Sequence, residues 1–407
     1  MPAISLRCRS CGHELGLDAV GACDKCWGPL EPVYDLDELR PRLTRERIAA
    51  GPPSLWRYGS LLPVETPVEP RLPPGWTPLV QAPRLAEALG LRELYLKLDT
   101  ANPTHSFKDR VVAVACAKAQ ELGLRTLACS STGNLAAAVA ARAAVEGLDA
   151  AVFCPAGLER EKLLPTAAYG ATIYEVLGSY DDCSRLTVEL SFELPDWAFV
   201  NVGLRAYYAE GSKTLAFEIA EQLGWRLPDA VVCPVASGAL LSKVGRGFGE
   251  FIALGLVEGA PPSLIGAQAQ GCEPVAAAFR EERPVTPIRP QTAASSLAIG
   301  NPADGDHAVA AVRASGGSVH SVPEGEIGAN MALLAETSGI FGEAAAGICL
   351  GALREAIGQG TVTADDCVVL CVTGDGLKTP GPVADRIATI EIEADAEALL
   401  EKLGVAV

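Results

Sequence analysis

Three features of this 407-residue chain predict an α/β protein with two doubly wound, mainly parallel sheets behind a small N-terminal metal-binding module. Short apolar runs alternate with helical patterns from residue 90 onward. Turns rich in Gly, Ser, Thr and Asn follow several of these runs. Two Cys-x-x-Cys pairs lie close together near the N-terminus. Alternating strands and helices imply parallel sheets covered on both faces. Ligands of such sheets bind beyond the carboxyl ends of the strands, so the strand-to-helix turns are where chemistry is sought.

In chain order, residues 1–34 combine the cysteine pairs with glycines and few core residues. Pro-rich spacers at Gly51-Pro52-Pro53 and from Pro63 to Pro78 flank Leu55-Trp56-Arg57-Tyr58, which reads as an anchor to the body. Leu94, Leu96 and Leu98 share one face of a period-2 strand. A helix from Val111 to Leu122, a strand from Arg125 to Ser130 and an Ala-rich helix from Asn134 to Glu146 follow. Next come a strand from Asp149 to Cys154, a helix around Lys162 and a strand from Ala171 to Val176. Later strands are expected at Val231 to Val235, Leu264 to Gln268 and Cys367 to Thr373, with a helix starting near Leu240. This divides the chain into a module at 1–34, a larger α/β domain at 35–95 and 205–385, a smaller one at 96–204, and an extension at 386–407.

Hydrophobic content of 49% against 20% charge fits a large buried core. A net charge of -17 argues against a nucleic-acid or anionic-membrane surface. No stretch has the apolar length of a membrane span, and the N-terminus lacks the apolar run of a signal peptide. The 13 cysteines are odd in number, and those beyond the first four scatter through apolar segments. Free thiols in a reducing cytoplasm are expected.

Cys8-Arg9-Ser10-Cys11 and Cys23-Asp24-Lys25-Cys26 form two knuckles able to place four thiolates tetrahedrally around zinc. His13 is adjacent, but four thiolates suffice. The site reads as closed, structural and remote from catalysis; a metal-free loop is the plain alternative. In the segment from Asn102 to Arg110, Ser106 and Asp109 have capping-box spacing, which puts Lys108 in the first turn of a helix. The positive helix end disfavours an ammonium there, and imine formation needs a neutral amine. Taken alone, an ordinary capped helix explains the segment better. Ser130-Ser131-Thr132-Gly133-Asn134 offers hydroxyls and backbone N–H groups to a carboxylate, with Asn134 able to donate to a phenolate, although plain helix capping accounts for it too. The small residues from Pro234 to Leu241 let backbone amides approach a phosphate, and they match neither a Walker A loop nor G-x-G-x-x-G. Tight strand–helix packing would also explain them. Thr373-Gly374-Asp375-Gly376-Leu377-Lys378 puts a hydroxyl at a strand's carboxyl end.

Together these segments resemble the threonine synthase family of fold-type II pyridoxal-phosphate enzymes. The resemblance rests on Gly75-Trp76-Thr77-Pro78-Leu79, Asn102 to Arg110, Ser131 to Asn134, Glu210-Gly211-Ser212-Lys213-Thr214, Ile299 to Pro302 and Thr373 to Lys378, in the family's order and spacing. It covers nearly the whole chain. It implies a cofactor cleft between the two α/β domains, with Lys108 as the Schiff-base lysine and later the general base at Cα. It places Phe107 and Asn134 at the cofactor, Asn134 facing the 3'-oxygen. Ala236, Ser237, Gly238, Ala239 and Leu240 take the place of the phosphate loop, and Thr373 faces the pyridine nitrogen. Ser131, Thr132 and Gly133 are implied to bind substrate, with Arg205, Lys213 or Lys162 for its phosphate. The implied substrate is O-phospho-L-homoserine, turned over by a cytoplasmic homodimer with no nucleic-acid or membrane partner. The sequence departs from the family at Ala236 and Leu240, at Gly203 to Tyr208, and at Ala344 within Phe341 to Ala345. Two other readings stay open: a β-replacing synthase (for cysteate or cysteine) or serine/threonine dehydratase on the same cofactor, and a non-catalytic scaffold carrying a zinc module.

Overall fold

A computed structural model of the chain describes residues 3–65, 71–178 and 180–403. Its strands fall into three sheets. The N-terminal module is a three-stranded antiparallel sheet in the order β2-β1-β3, formed by β1 (Ala3–Cys8), β2 (Glu14–Leu15) and β3 (Leu30–Tyr34).

The larger body is a six-stranded sheet in the order β12-β11-β10-β13-β5-β4. It contains β4 (Leu79–Gln81), β5 (Glu93–Leu98), β10 (Ala230–Pro234), β11 (Ser263–Ala269), β12 (Ser318–Val322) and β13 (Cys367–Val372). All its pairings are parallel except that of the edge strand β4. Every residue of β10 and β13 is buried, as expected of central parallel strands covered by helices on both faces. The smaller sheet, β8-β7-β6-β9, is wholly parallel: β6 (Thr126–Ser130), β7 (Asp149–Pro155), β8 (Thr172–Val176) and β9 (Trp197–Phe199).

Leu94, Leu96 and Leu98 all join the core, as their alternation predicts. β5 nevertheless pairs with β13 as far as Leu98 opposite Val372, so the crossing between sheets falls after Leu98, not at 95. The reason is that β5 takes its hydrogen bonds from the larger sheet along its whole length. Its opposite face carries a charge the alternation did not flag: Lys97, fully buried.

The Leu55-Trp56-Arg57-Tyr58 anchor is real. Leu55, Trp56 and Tyr58 are buried. Arg57 and the Tyr58 hydroxyl both reach Glu221, at 2.7 and 2.6 Å. The N-terminal module is docked, not tethered. The Tyr207 hydroxyl donates to the carbonyls of Leu17 and Ala19 at 2.7 and 2.8 Å, and the Gly21 N–H donates to the Gly203 carbonyl.

Candidate active site

Lys108 opens the helix Lys108–Glu121 at the end of the turn that follows β5. The turn is stitched to the segment after β13. The Phe107 N–H donates to the Thr373 carbonyl at 2.8 Å, Ser106 bridges Gly374, and the Asp375 N–H donates to His105. The expected capping box does not form. Asp109 turns back to accept from the Thr104 N–H (2.8 Å) and hydroxyl (2.9 Å), and the Ser106 hydroxyl is buried without a partner. The Thr104 N–H and hydroxyl take the Asp109 carboxylate, so the first turn is held by a loop contact instead. The outcome for Lys108 is unchanged: it stands at the helix start, half-buried. Its amine has ring faces for neighbours, 5.5 Å from the Phe107 centroid and 6.0 Å from that of Tyr208.

Beneath Lys108 lies a closed ion network that explains several motifs as scaffold. Arg110 donates to Asp99 at 2.7 and 2.8 Å and to Glu218 at 2.5 and 2.8 Å. Lys97 meets Glu218 at 2.6 Å, and the Trp76 and Thr77 N–H groups complete that carboxylate. Thr214 and Thr77 hydroxyls accept from Arg110. Residues 75–79, 102–110 and 210–214 are therefore brought together under the lysine.

Asn134 begins the helix Asn134–Glu146 at the carboxyl end of β6. Its Nδ2 donates to Glu343 Oε2 at 3.0 Å and its Oδ1 accepts from Lys378 at 2.8 Å. Glu343, at the start of the helix Ala344–Gly358, is buried against Gly374, where a Cβ would stand 2.5 Å from the carboxylate. Burial pushes its carboxyl up, opposed by Asn134, Lys378, Lys108 and the Thr373 hydroxyl beside it. Burial likewise lowers the Lys378 ammonium. Lys108, Asn134, Thr373, Glu343 and Lys378 thus form one cluster in the cleft. Ser131, Thr132 and Gly133 lead into it, partly exposed, with the Ser131 hydroxyl accepting from the Gly133 N–H at 3.3 Å.

The turn Ala236–Leu240 links β10 to the helix Ala239–Ala253. Gly238 has φ 91°, and a Cβ there would stand 2.5 Å from the Asp304 carbonyl oxygen, so glycine is required on both counts. The N–H groups that open a helix have no intrahelical acceptor and suit an anion. Leu240 packs against the core group containing Phe107 and Tyr208, which puts the turn on the Lys108 side. Arg205 is a quarter exposed and pairs with Asp304, beside this turn.

Lys213 is a different matter. It is fully buried, at 2.6 Å from Glu210 and 2.9 Å from Glu250, with its ammonium over the Tyr34 ring. Two carboxylates already satisfy it, so it does not face the cleft, and the family spacing alone does not distinguish it from a ligand-facing cation. Lys162 lies outside the described side chains. Glu343 and Tyr208 belong to none of the motifs that residue order marks as catalytic. Glu343 had one usable signal: it is the lone acid in the apolar run from Ile340 to Ala346.

In the module, the Sγ atoms of Cys8, Cys11, Cys23 and Cys26 all lie within 4.8 Å of one another, a donor set able to hold a metal ion. His13 points instead to Asp24, at 3.3 Å.

Fold and site together define an enzyme of the class that holds pyridoxal phosphate on a lysine between two α/β domains. A family model described as "Pyridoxal-phosphate dependent enzyme" matches residues 71–374. A threonine synthase of Methanosarcina acetivorans is 37% identical over 98% of this chain and 99% of its own length. One from Methanocaldococcus jannaschii is 35% identical over 97% and 98%, and one from Mycobacterium bovis 36% over 86% and 95%. The chain belongs to the threonine synthase family of pyridoxal-phosphate dependent enzymes. Among solved structures, diaminopropionate ammonia lyase from Escherichia coli superposes with a TM-score of 0.65 at 18% identity, covering 84% of this chain and 93% of that one. Maize serine racemase gives 0.62 at 20%, covering 81% and 91%. At these identities the likeness speaks for the fold. Among the described residues, no helix is long and apolar enough to cross a membrane.

Proposed function

We propose that this chain converts O-phospho-L-homoserine and water to L-threonine and phosphate. The observation that carries the reading is the Lys108 amine, set without an acceptor among the described residues in a cleft that also presents Asn134, Thr373 and the turn Ala236–Leu240. The full-length similarity to threonine synthases supports the substrate.

The residues present fit pyridoxal phosphate. The buried Ser106 hydroxyl lacks a partner, and the helix start after Gly238 offers N–H groups to the phosphate. Lys108 would hold the cofactor through its amine, Asn134 would face its ring oxygen, and Thr373 its ring nitrogen. When bound, the cofactor supplies a conjugated ring that takes up the electron pair left at Cα. Ser131, Thr132 and Gly133 hold the substrate carboxylate, which aims Cα at Lys108. With its amine free, Lys108 would take the Cα proton and later return one. A Cβ proton is lost as phosphate leaves Cγ, Cγ takes up a proton and becomes the methyl group, and water adds its hydroxyl at Cβ while its other proton goes to the released phosphate. Arg205, a quarter exposed and paired with Asp304, is the candidate cation for the leaving phosphate. Thr373 would offer the ring nitrogen a neutral hydroxyl in place of a carboxylate, an arrangement that does not favour its protonation. Zinc in the four-thiolate site, and a reducing cytoplasm for a chain whose cysteines are all unpaired, complete the reading.

The test is product analysis. Purified protein given O-phosphohomoserine should release phosphate and threonine, with only slow deamination of serine or threonine, and Lys108→Ala should abolish it. Turnover of another activated amino acid with no threonine formed would hand the function to the β-replacing or dehydratase alternative.

A further inference from the structure

The six-residue helix Arg205–Glu210 touches three parts of the molecule at once. Tyr207 and Glu210 hold the N-terminal module, the latter through the Tyr34 hydroxyl at 2.7 Å. Tyr208 presents its ring to Lys108. Arg205 pairs with Asp304. Asp304 in turn closes over the turn Ala236–Leu240: its N–H donates to the Ser237 carbonyl at 2.8 Å, and its own carbonyl lies against Gly238.

A second guanidinium reaches the same carboxylate. Arg9 Nη1 stands 3.4 Å from Asp304 Oδ1, and Arg9 lies inside the first cysteine knuckle, between Cys8 and Cys11. Its side chain is 19% exposed and that of Asp304 8%, so the carboxylate is shielded from water while Arg9 also lines a surface pocket with Glu31, Lys243 and Arg246. The module is seated firmly enough to aim it. Glu31 on β3 binds Lys243 at 2.6 Å and Arg246 at 2.7 Å, and both of those side chains project from the helix that the turn opens.

We propose that Arg9 is a positioning residue for the phosphate-binding turn, through which the cysteine module sets how tightly the cofactor is held. Asp304 sits between Arg9 and Arg205, and this fixes the backbone that packs over Gly238. A knuckle closed on its metal holds Arg9 at that carboxylate. An opened knuckle lets Arg9 go, and Asp304 is then held from one side. The inference rests on the proposed role of the turn as the site of the cofactor phosphate.

The experiment is a double-mutant cycle read as cofactor affinity, with no activity measured. Apoprotein of wild type, Arg9→Ala, Asp304→Asn and the double variant is titrated with pyridoxal phosphate, following the cofactor's visible absorption. Zinc content and melting temperature are recorded for each. Arg9→Ala should weaken binding about tenfold, equivalent to about 1.4 kcal/mol, with metal and fold retained. In the Asp304→Asn background the same change should have little further effect, because the partner is already gone. Cys23→Ser should weaken binding in parallel. An unaltered dissociation constant in Arg9→Ala overturns the proposal, as does a full Arg9 effect on top of Asp304→Asn. If Arg9→Ala loses its metal or its fold, Arg9→Gln is judged by the same criteria. Wild-type protein that failed to bind the cofactor would sink the functional reading itself, a result distinct from normal binding that ignores Arg9.

Discussion

Replacing Glu218 by Gln tests whether the ion network under Lys108 is what holds the motifs together. Glu218 is fully buried and accepts from Arg110, Lys97 and the N–H groups of Trp76 and Thr77. Glutamine keeps the shape but leaves Arg110 and Lys97 against Asp99 alone, with one amide aimed at cations. Breaking a buried pair this way costs about 3–5 kcal/mol. Burial raises the Glu218 carboxyl, but Arg110 and Lys97 overcome this and hold it down, from 4.5 to about 2. That difference is independently on the order of 3 kcal/mol. A carboxyl lowered on folding stabilises above its unfolded value and loses that contribution as pH falls toward its folded one. Scanning calorimetry at neutral pH should show a melting temperature lower by roughly 3–10 °C in the variant. The gap to wild type should narrow as pH falls below about 4.5. A gap under about 1 °C at neutral pH would show that the network does not stabilise the fold, and a gap that does not change in acid would show that the Glu218 charge is not what stabilises it.

Borohydride reduction of the cofactor-loaded protein, followed by peptide mapping, should tag Lys108; a tag on Lys213 or Lys378 would reassign the cofactor lysine. With the cofactor held at saturating concentration, Arg205→Ala should lower kcat/KM for O-phosphohomoserine by roughly 30–1000-fold and residual serine deamination much less. Equal losses on both substrates would mean that Arg205 does not read the phosphate. Lys213→Ala should lower the melting temperature without changing the ratio between the two substrates, because its charge is spent on Glu210 and Glu250; a selective loss on phosphohomoserine would return it to the substrate site. Metal analysis of protein purified under reducing conditions should give about one zinc per chain, and its absence would dismiss the four-thiolate site.

Much of this protein is local, and local features are legible from residue order. Period-2 leucines and continuous apolar runs mark strands because the backbone itself imposes that spacing. The knuckles place Cys8, Cys11, Cys23 and Cys26 close together because each pair is three residues apart and the loop between them is short. Lys108 is legible because the strand–turn–helix pattern around it is contiguous. Which charges face a ligand and which face each other is not local. Lys213 and Arg205 lie eight positions apart in the same motif region, yet one is enclosed by Glu210 and Glu250 while the other stays a quarter exposed and pairs with Asp304. Glu343 joins Asn134 across more than two hundred positions, and Arg9 meets Asp304 across nearly three hundred. Such contacts depend on how the sheets and the module pack, and a buried charge must find its partner wherever that packing puts it. The chain order names the candidates, and tertiary packing decides whether each becomes ligand, scaffold or clamp.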